Sequence, residues 1–187
     1  MKTAIIIHGW PGKEEYFNLN IPTPSNSHWF PWIQKQLLLK GILAQTPEMP
    51  ESYEPNYEKW KWMFEQFKID EETILVGHSC GGGFLIRWLS ENDIKVGKVV
   101  LVAPWLDPEH MINKNFFKFD IDQNIILKTA GLTIMYSSED YQDIIESIKI
   151  LKSKLKGVIF QEFTGKGHFV IGDMGTEKFP ELLKNII

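Results

Sequence analysis

The chain has 187 residues, 43% of them hydrophobic and 24% charged, with a formal net charge of −4. That length fits one domain able to bury a continuous core, so residues 1–187 are expected to fold as a single unit with the composition of an ordinary globular protein. The mild acidity gives no support for nucleic-acid or anionic-membrane partners, and the single cysteine, Cys80, excludes an intramolecular disulfide and a multi-cysteine zinc site.

The apolar run Thr3-Ala4-Ile5-Ile6-Ile7 reads as a first strand. It is too short for a signal peptide and lacks a small-residue cleavage site, and no run approaches the roughly 18 apolar residues of a membrane span. Cytoplasmic residence is the resulting expectation. Pro31 opens a helix that runs to Lys40, with Gly41 at its C-terminal cap. A short strand follows at 42–45, before Thr46-Pro47-Glu48-Met49-Pro50, and Tyr57, Trp60, Phe64 and Phe67 then share one helical face. Further strands are expected at 73–76, 98–103, 132–136 and 157–163, because continuous apolar runs suit strands buried on both faces.

Two more helices complete the pattern. Tyr141, Ile144, Ile145, Ile148, Leu151 and Leu155 recur at helical spacing, and Pro180 opens a last helix with Leu182, Leu183, Ile186 and Ile187 on its apolar face. The longest irregular piece, 104–131, carries Trp105, Met111, Phe116, Phe117 and Phe119. It is either a small cap over a pocket or an ordinary connection whose aromatics plug the core. Strands alternating with helices imply an α/β fold: a three-layer arrangement with a mostly parallel sheet and helices on both faces.

Chemistry concentrates after the third long strand. Gly77-His78-Ser79-Cys80-Gly81 joins Thr73-Ile74-Leu75-Val76 to Gly82-Gly83-Phe84-Leu85-Ile86, the strand, sharp turn and helix of a nucleophile elbow. Three glycines at a helix start go against helix propensity, and such breaches of local rules cluster at functional sites. They predict a helix packed close against neighbouring strands, with a first turn that leaves room for a substrate of modest acyl size. The N–H of Cys80, at the helix start, suits an oxyanion.

A serine hydroxyl needs a general base oriented by a carboxylate. Of five histidines, His78 adjoins the serine on the strand side and is expected to point away. His168 lies in Thr164-Gly165-Lys166-Gly167-His168-Phe169, a loop after the last strand, where loops at strand carboxyl ends gather. For the acid, Asp140 in Ser137-Ser138-Glu139-Asp140-Tyr141 is chosen; Glu139, Asp143 and Asp107 are alternatives, and an acidic cluster before a helix also suits N-capping. The first strand ends in His8-Gly9-Trp10-Pro11-Gly12, which also reads as a plain turn with a buried histidine.

The order Ser79, Asp140, His168 is that of α/β-hydrolases. With Trp29-Phe30-Pro31-Trp32, Glu48-Met49-Pro50, Phe116-Phe117 and Gly167-His168-Phe169, the chain resembles the small serine hydrolases related to retinoblastoma-binding protein nine, nearly end to end. The resemblance implies Trp10 as the second backbone oxyanion donor beside Cys80. It implies a serine hydrolase of a small ester, thioester or amide, acting without cofactor or metal. Trp29, Trp105, Phe116 and Phe117 are candidates to line its pocket. Rival readings are a non-catalytic interaction module and an acyltransferase of the same fold.

Overall fold

The computed structural model describes residues 2–112 and 115–187. Its apolar runs pair into one sheet of six strands: β1 (Thr3–Ile7), β2 (Leu43–Gln45), β3 (Ile74–His78), β4 (Val99–Val102), β5 (Leu132–Ser137) and β6 (Ile159–Phe163). The spatial order is β2-β1-β3-β4-β5-β6, and every neighbouring pair is parallel. The register sets Ile6 opposite Val76, Leu75 opposite Val99 and Leu101 opposite Ile134. Strands β3 and β4 are buried at every position, which is why their runs are continuously apolar rather than alternating. The edge strand β6 has no buried residue, and its Ile159 is exposed.

Among the described residues, seven α-helices lie between or after the strands: α1 (Lys13–Tyr16), α2 (Phe30–Leu39), α3 (Tyr57–Phe64), α4 (Cys80–Glu91), α5 (Gln142–Lys154), α6 (Ile171–Met174) and α7 (Pro180–Ile186). Helices α2 and α7 pack together, with Trp29 edge-on to Phe179 just before each begins. Helix α3 packs on α4 through Phe64 against Phe84 and Trp88. The expected three-layer α/β fold is present, and its sheet is parallel throughout.

Several boundaries differ from the sequence reading. Strand β3 runs through Gly77 to His78, because its ladder with β4 extends to His78 opposite Val102. Tyr141 caps α5 and is 65% exposed instead of joining its buried face. Ile187 is likewise exposed. Helices α1 and α6 leave no mark in the sequence pattern, since four residues are too few to display a 3.6-residue period.

The chain leaves β1, adds β2 on one side, and returns to place β3 on the other. Segments leaving β1 and β3 therefore diverge, which opens a crevice at the carboxyl ends of these two strands. Both the His8-Gly9-Trp10 loop and Ser79 lie there.

Candidate active site

Ser79 joins β3 to α4 with φ 52° and ψ −121°, a backbone conformation unfavourable for a residue with a Cβ. Four hydrogen bonds hold it. Its N–H donates to Val102 O at 2.9 Å, and its carbonyl accepts from the N–H groups of Gly82, Gly83 and Trp105 at 2.9, 3.2 and 3.0 Å. A Cβ on Gly81 would collide with the carbonyls of Ile7 and His8, and one on Gly83 with the carbonyl of Trp105. The glycines thus admit the end of β1 and the start of the 104–131 segment against the helix. That corrects the second half of the expectation: protein backbone, not substrate, occupies the room they leave.

His168 Nδ1 and Asp140 Oδ1 are 2.8 Å apart, with the Asp140 side chain fully buried and that of His168 13% exposed. Asp140 Oδ1 also accepts the Tyr141 N–H at 2.7 Å, while Oδ2 is buried without a partner among the described residues. The alternative acids are used elsewhere. Asp107 accepts the N–H groups of Met111 and Ile112 at 2.6 and 3.1 Å, Glu139 Oε2 accepts the Gly165 N–H at 2.6 Å, and Asp143 Oδ1 accepts the Ile144 N–H at 2.9 Å. Among the described residues, no hydrogen bond joins Ser79 Oγ to His168; such contacts are commonly long before substrate binds.

The loop carrying His168 is fixed at several points. Asp173 Oδ2 accepts the His168 N–H at 2.7 Å, His78 Nε2 donates to the His168 carbonyl at 2.9 Å, and Trp29 Nε1 donates to the Phe169 carbonyl at 3.1 Å. His78 therefore does not accept from Ser79; it braces the backbone of His168, its ring centroid 4.9 Å from that of His168. Burial, then the neighbouring His168, pushes the His78 imidazole well below its ordinary range, so it remains a neutral donor.

His8, 1% exposed, braces the opposite loop. Its Nδ1 donates to Gly9 O at 2.7 Å and its Nε2 accepts the Met49 N–H at 2.9 Å, which sets the tautomer. Burial lowers its pKa against the opposing pull of Glu48. Trp10 is tied by Nε1 to Tyr53 O at 2.9 Å and stacks on Trp105, with ring centroids 5.6 Å apart. Neither the Trp10 nor the Cys80 N–H donates to a protein acceptor among the described residues. The Cys80 side chain is wholly buried, and burial followed by the Asp107 charge pushes its thiol pKa well above the ordinary value.

Ser79, His168, Trp10 and Trp105 line an open cleft of about 670 Å³, together with His28 and Phe30. Three of the four aromatic residues expected there are elsewhere. Trp29 is fully buried and holds the His168 loop, Phe116 packs on Tyr57, Trp60 and Phe84 in the core, and Phe117 lies against Gly83 and Trp105 outside the lining. Size and apolarity suit core and pocket equally, so the sequence could not separate them. The 104–131 segment contributes Trp105, Glu109 and Met111 to the cleft. His28, which directly precedes the aromatic tetrapeptide, carries no sequence signal for its place in the cleft.

A six-stranded parallel sheet with a serine elbow at its switch point is the fold of an α/β-hydrolase. The chain belongs to the serine hydrolase family, whose model matches residues 4–186, and it is an enzyme of that class. It is 28% identical over 186 residues to "Putative hydrolase YdeN" of Bacillus subtilis (strain 168), spanning 96% of this chain and 91% of that protein. The crystal structure of the ydeN gene product from B. subtilis superposes with a TM-score of 0.80 at 26% identity, covering 98% and 96% of the two chains. Est1E from Butyrivibrio proteoclasticus shares the fold, with a TM-score of 0.60 at 16% identity over 98% of this chain and 88% of its own. No helix among the described residues is long and apolar enough to cross a membrane.

Proposed function

We propose that this hydrolase cleaves a small carboxylic ester, thioester or amide through an acyl-enzyme formed on Ser79. The observation that carries the reading is the 2.8 Å pairing of the buried Asp140 carboxylate with Nδ1 of His168, which lines one cleft with Ser79. Ser79 Oγ attacks the substrate carbonyl carbon while its proton passes to His168 Nε2. The imidazolium then keeps its Nδ1–H on Asp140, whose charge has no other cationic partner among the described residues. The negative oxygen of the tetrahedral intermediate lies between the free N–H groups of Trp10 and Cys80.

Collapse expels the alcohol, thiol or amine as His168 returns the proton to it, leaving the acyl group on Ser79. Water enters against His168, repeats the same steps and releases the acid. Elbow strain supports this assignment, because a φ of 52° held by four hydrogen bonds aims the hydroxyl outward at an energetic cost that packing alone would not require.

The test is labelling with a fluorophosphonate probe followed by peptide mass mapping. A single phosphonyl adduct on Ser79, abolished in heat-unfolded protein, is expected. Folded protein that carries no adduct on Ser79 removes the proposal.

A further inference from the structure

Among the titratable side chains of the cleft that take no part in these acyl-transfer steps is one imidazole. His28 lines the cleft with Ser79 and His168. Its Nδ1 accepts the Ile171 N–H at 3.3 Å, so in the neutral ring the proton resides on Nε2. That N–H has no protein acceptor among the described residues. His28 holds φ 56°, a left-handed conformation unfavourable for a residue with a Cβ, and its neighbour Trp29 is anchored to the His168 loop through Phe169 O. Burial, then His168, lowers the pKa of His28 against the weaker opposing effect of Asp173, so the ring stays an uncharged donor at neutral pH.

Its position gives that donor an address. Ile171, which fixes the ring, lies three residues beyond His168, and the His78 ring is 6.5 Å from His28 and 4.9 Å from His168. The departing group must touch His168, because it takes its proton there. His28 and His168 line the same cleft, so a donor there faces the space that the leaving group crosses, whereas the oxyanion belongs to Trp10 and Cys80.

We propose that His28 is a specificity-determining residue whose Nε2–H donates a hydrogen bond to a second oxygen on the alcohol part of an ester. Preferred substrates are accordingly esters of diols, polyols or ether alcohols, hydrolysed to the acid and the free alcohol. The proposal rests on the roles given above to Ser79 and His168. His28 itself makes and breaks no covalent bond.

The experiment compares 2-methoxyethyl and butyl esters of one short-chain acid, a pair of nearly equal shape that differs by the acceptor oxygen. Rates are measured on the unaltered enzyme, His28→Leu, His28→Gln and Ser79→Ala. The unaltered enzyme is expected to favour the 2-methoxyethyl ester about fivefold to tenfold in kcat/KM, the factor one hydrogen bond supplies, with most of it in KM because the contact exists before and during reaction. His28→Leu brings the ratio to about 1, and His28→Gln, which keeps an N–H at similar reach, restores much of it. A ratio within one sample cancels any loss of folded protein. An unaltered enzyme with no such preference, including one that cleaves neither ester, overturns the proposal, as does a ratio that survives His28→Leu. Ser79→Ala reports separately: turnover at the unaltered rate would remove the nucleophile assignment, while its silence beside an unchanged His28→Leu ratio removes only the His28 assignment.

Discussion

At the scale of single residues, the protonation pattern of His168 turns on Asp140. Its Oδ1 receives the Nδ1–H, which leaves Nε2 without a proton, as the proposed transfer from Ser79 requires. An amide in that position offers its own N–H, favouring the opposite tautomer and blocking Nε2. Asp140→Asn is therefore expected to cut kcat by up to about 10⁴-fold with little change in KM, measured on any ester the enzyme turns over. Asp107→Asn should leave the tautomer alone, since its carboxylate serves the Met111 and Ile112 N–H groups. The pairing of Asp140 with His168 is legible in the sequence because the acid follows β5 and the histidine follows β6. What His78 does was not, because its hydrogen bond to the His168 carbonyl joins residues 90 positions apart and leaves no periodic trace.

At the scale of elements, the contact between α4 and the end of β1 is backbone against backbone. A methyl group on Gly81 meets the carbonyls of Ile7 and His8, which have no flexible side chain to yield. Gly81→Ala should cost about 1–3 kcal/mol, read from the urea midpoint. Because His8 precedes the Trp10 loop, kcat should fall as well. Gly12→Ala is the control: that position has φ −64° and nothing within 4 Å of an added Cβ, so stability should stay near the parent value. Strand cores were readable from unbroken runs such as Val99–Val102, buried throughout. The assignment of aromatics was not. Trp29 and Trp105 are alike in chemistry, and only the path of the chain puts one under a loop and the other in the cleft.

At the scale of the whole molecule, three imidazoles, His8, His28 and His78, are kept neutral chiefly by burial, so the native state binds fewer protons than the unfolded chain. Their folded pKa values lie below the unfolded value near 6.5. The stability they confer is therefore complete above that pH and is lost as pH falls beneath it. For the fully buried His78 the added slope is up to about 1.4 kcal/mol per pH unit. Urea midpoints should drop between pH 7.5 and 5.5, and His78→Gln should shrink that drop; an equal fall in both proteins would mean that His78 does not set it.

Cys80 adds a practical consequence at this same scale. The chain contains no second thiol, and this one is sealed inside α4 and held protonated, so maleimides and similar electrophiles find nothing to react with in the native protein. A cysteine introduced at an exposed position such as Leu19 would then be a unique attachment point for a dye or a surface, without first altering the residue beside Ser79.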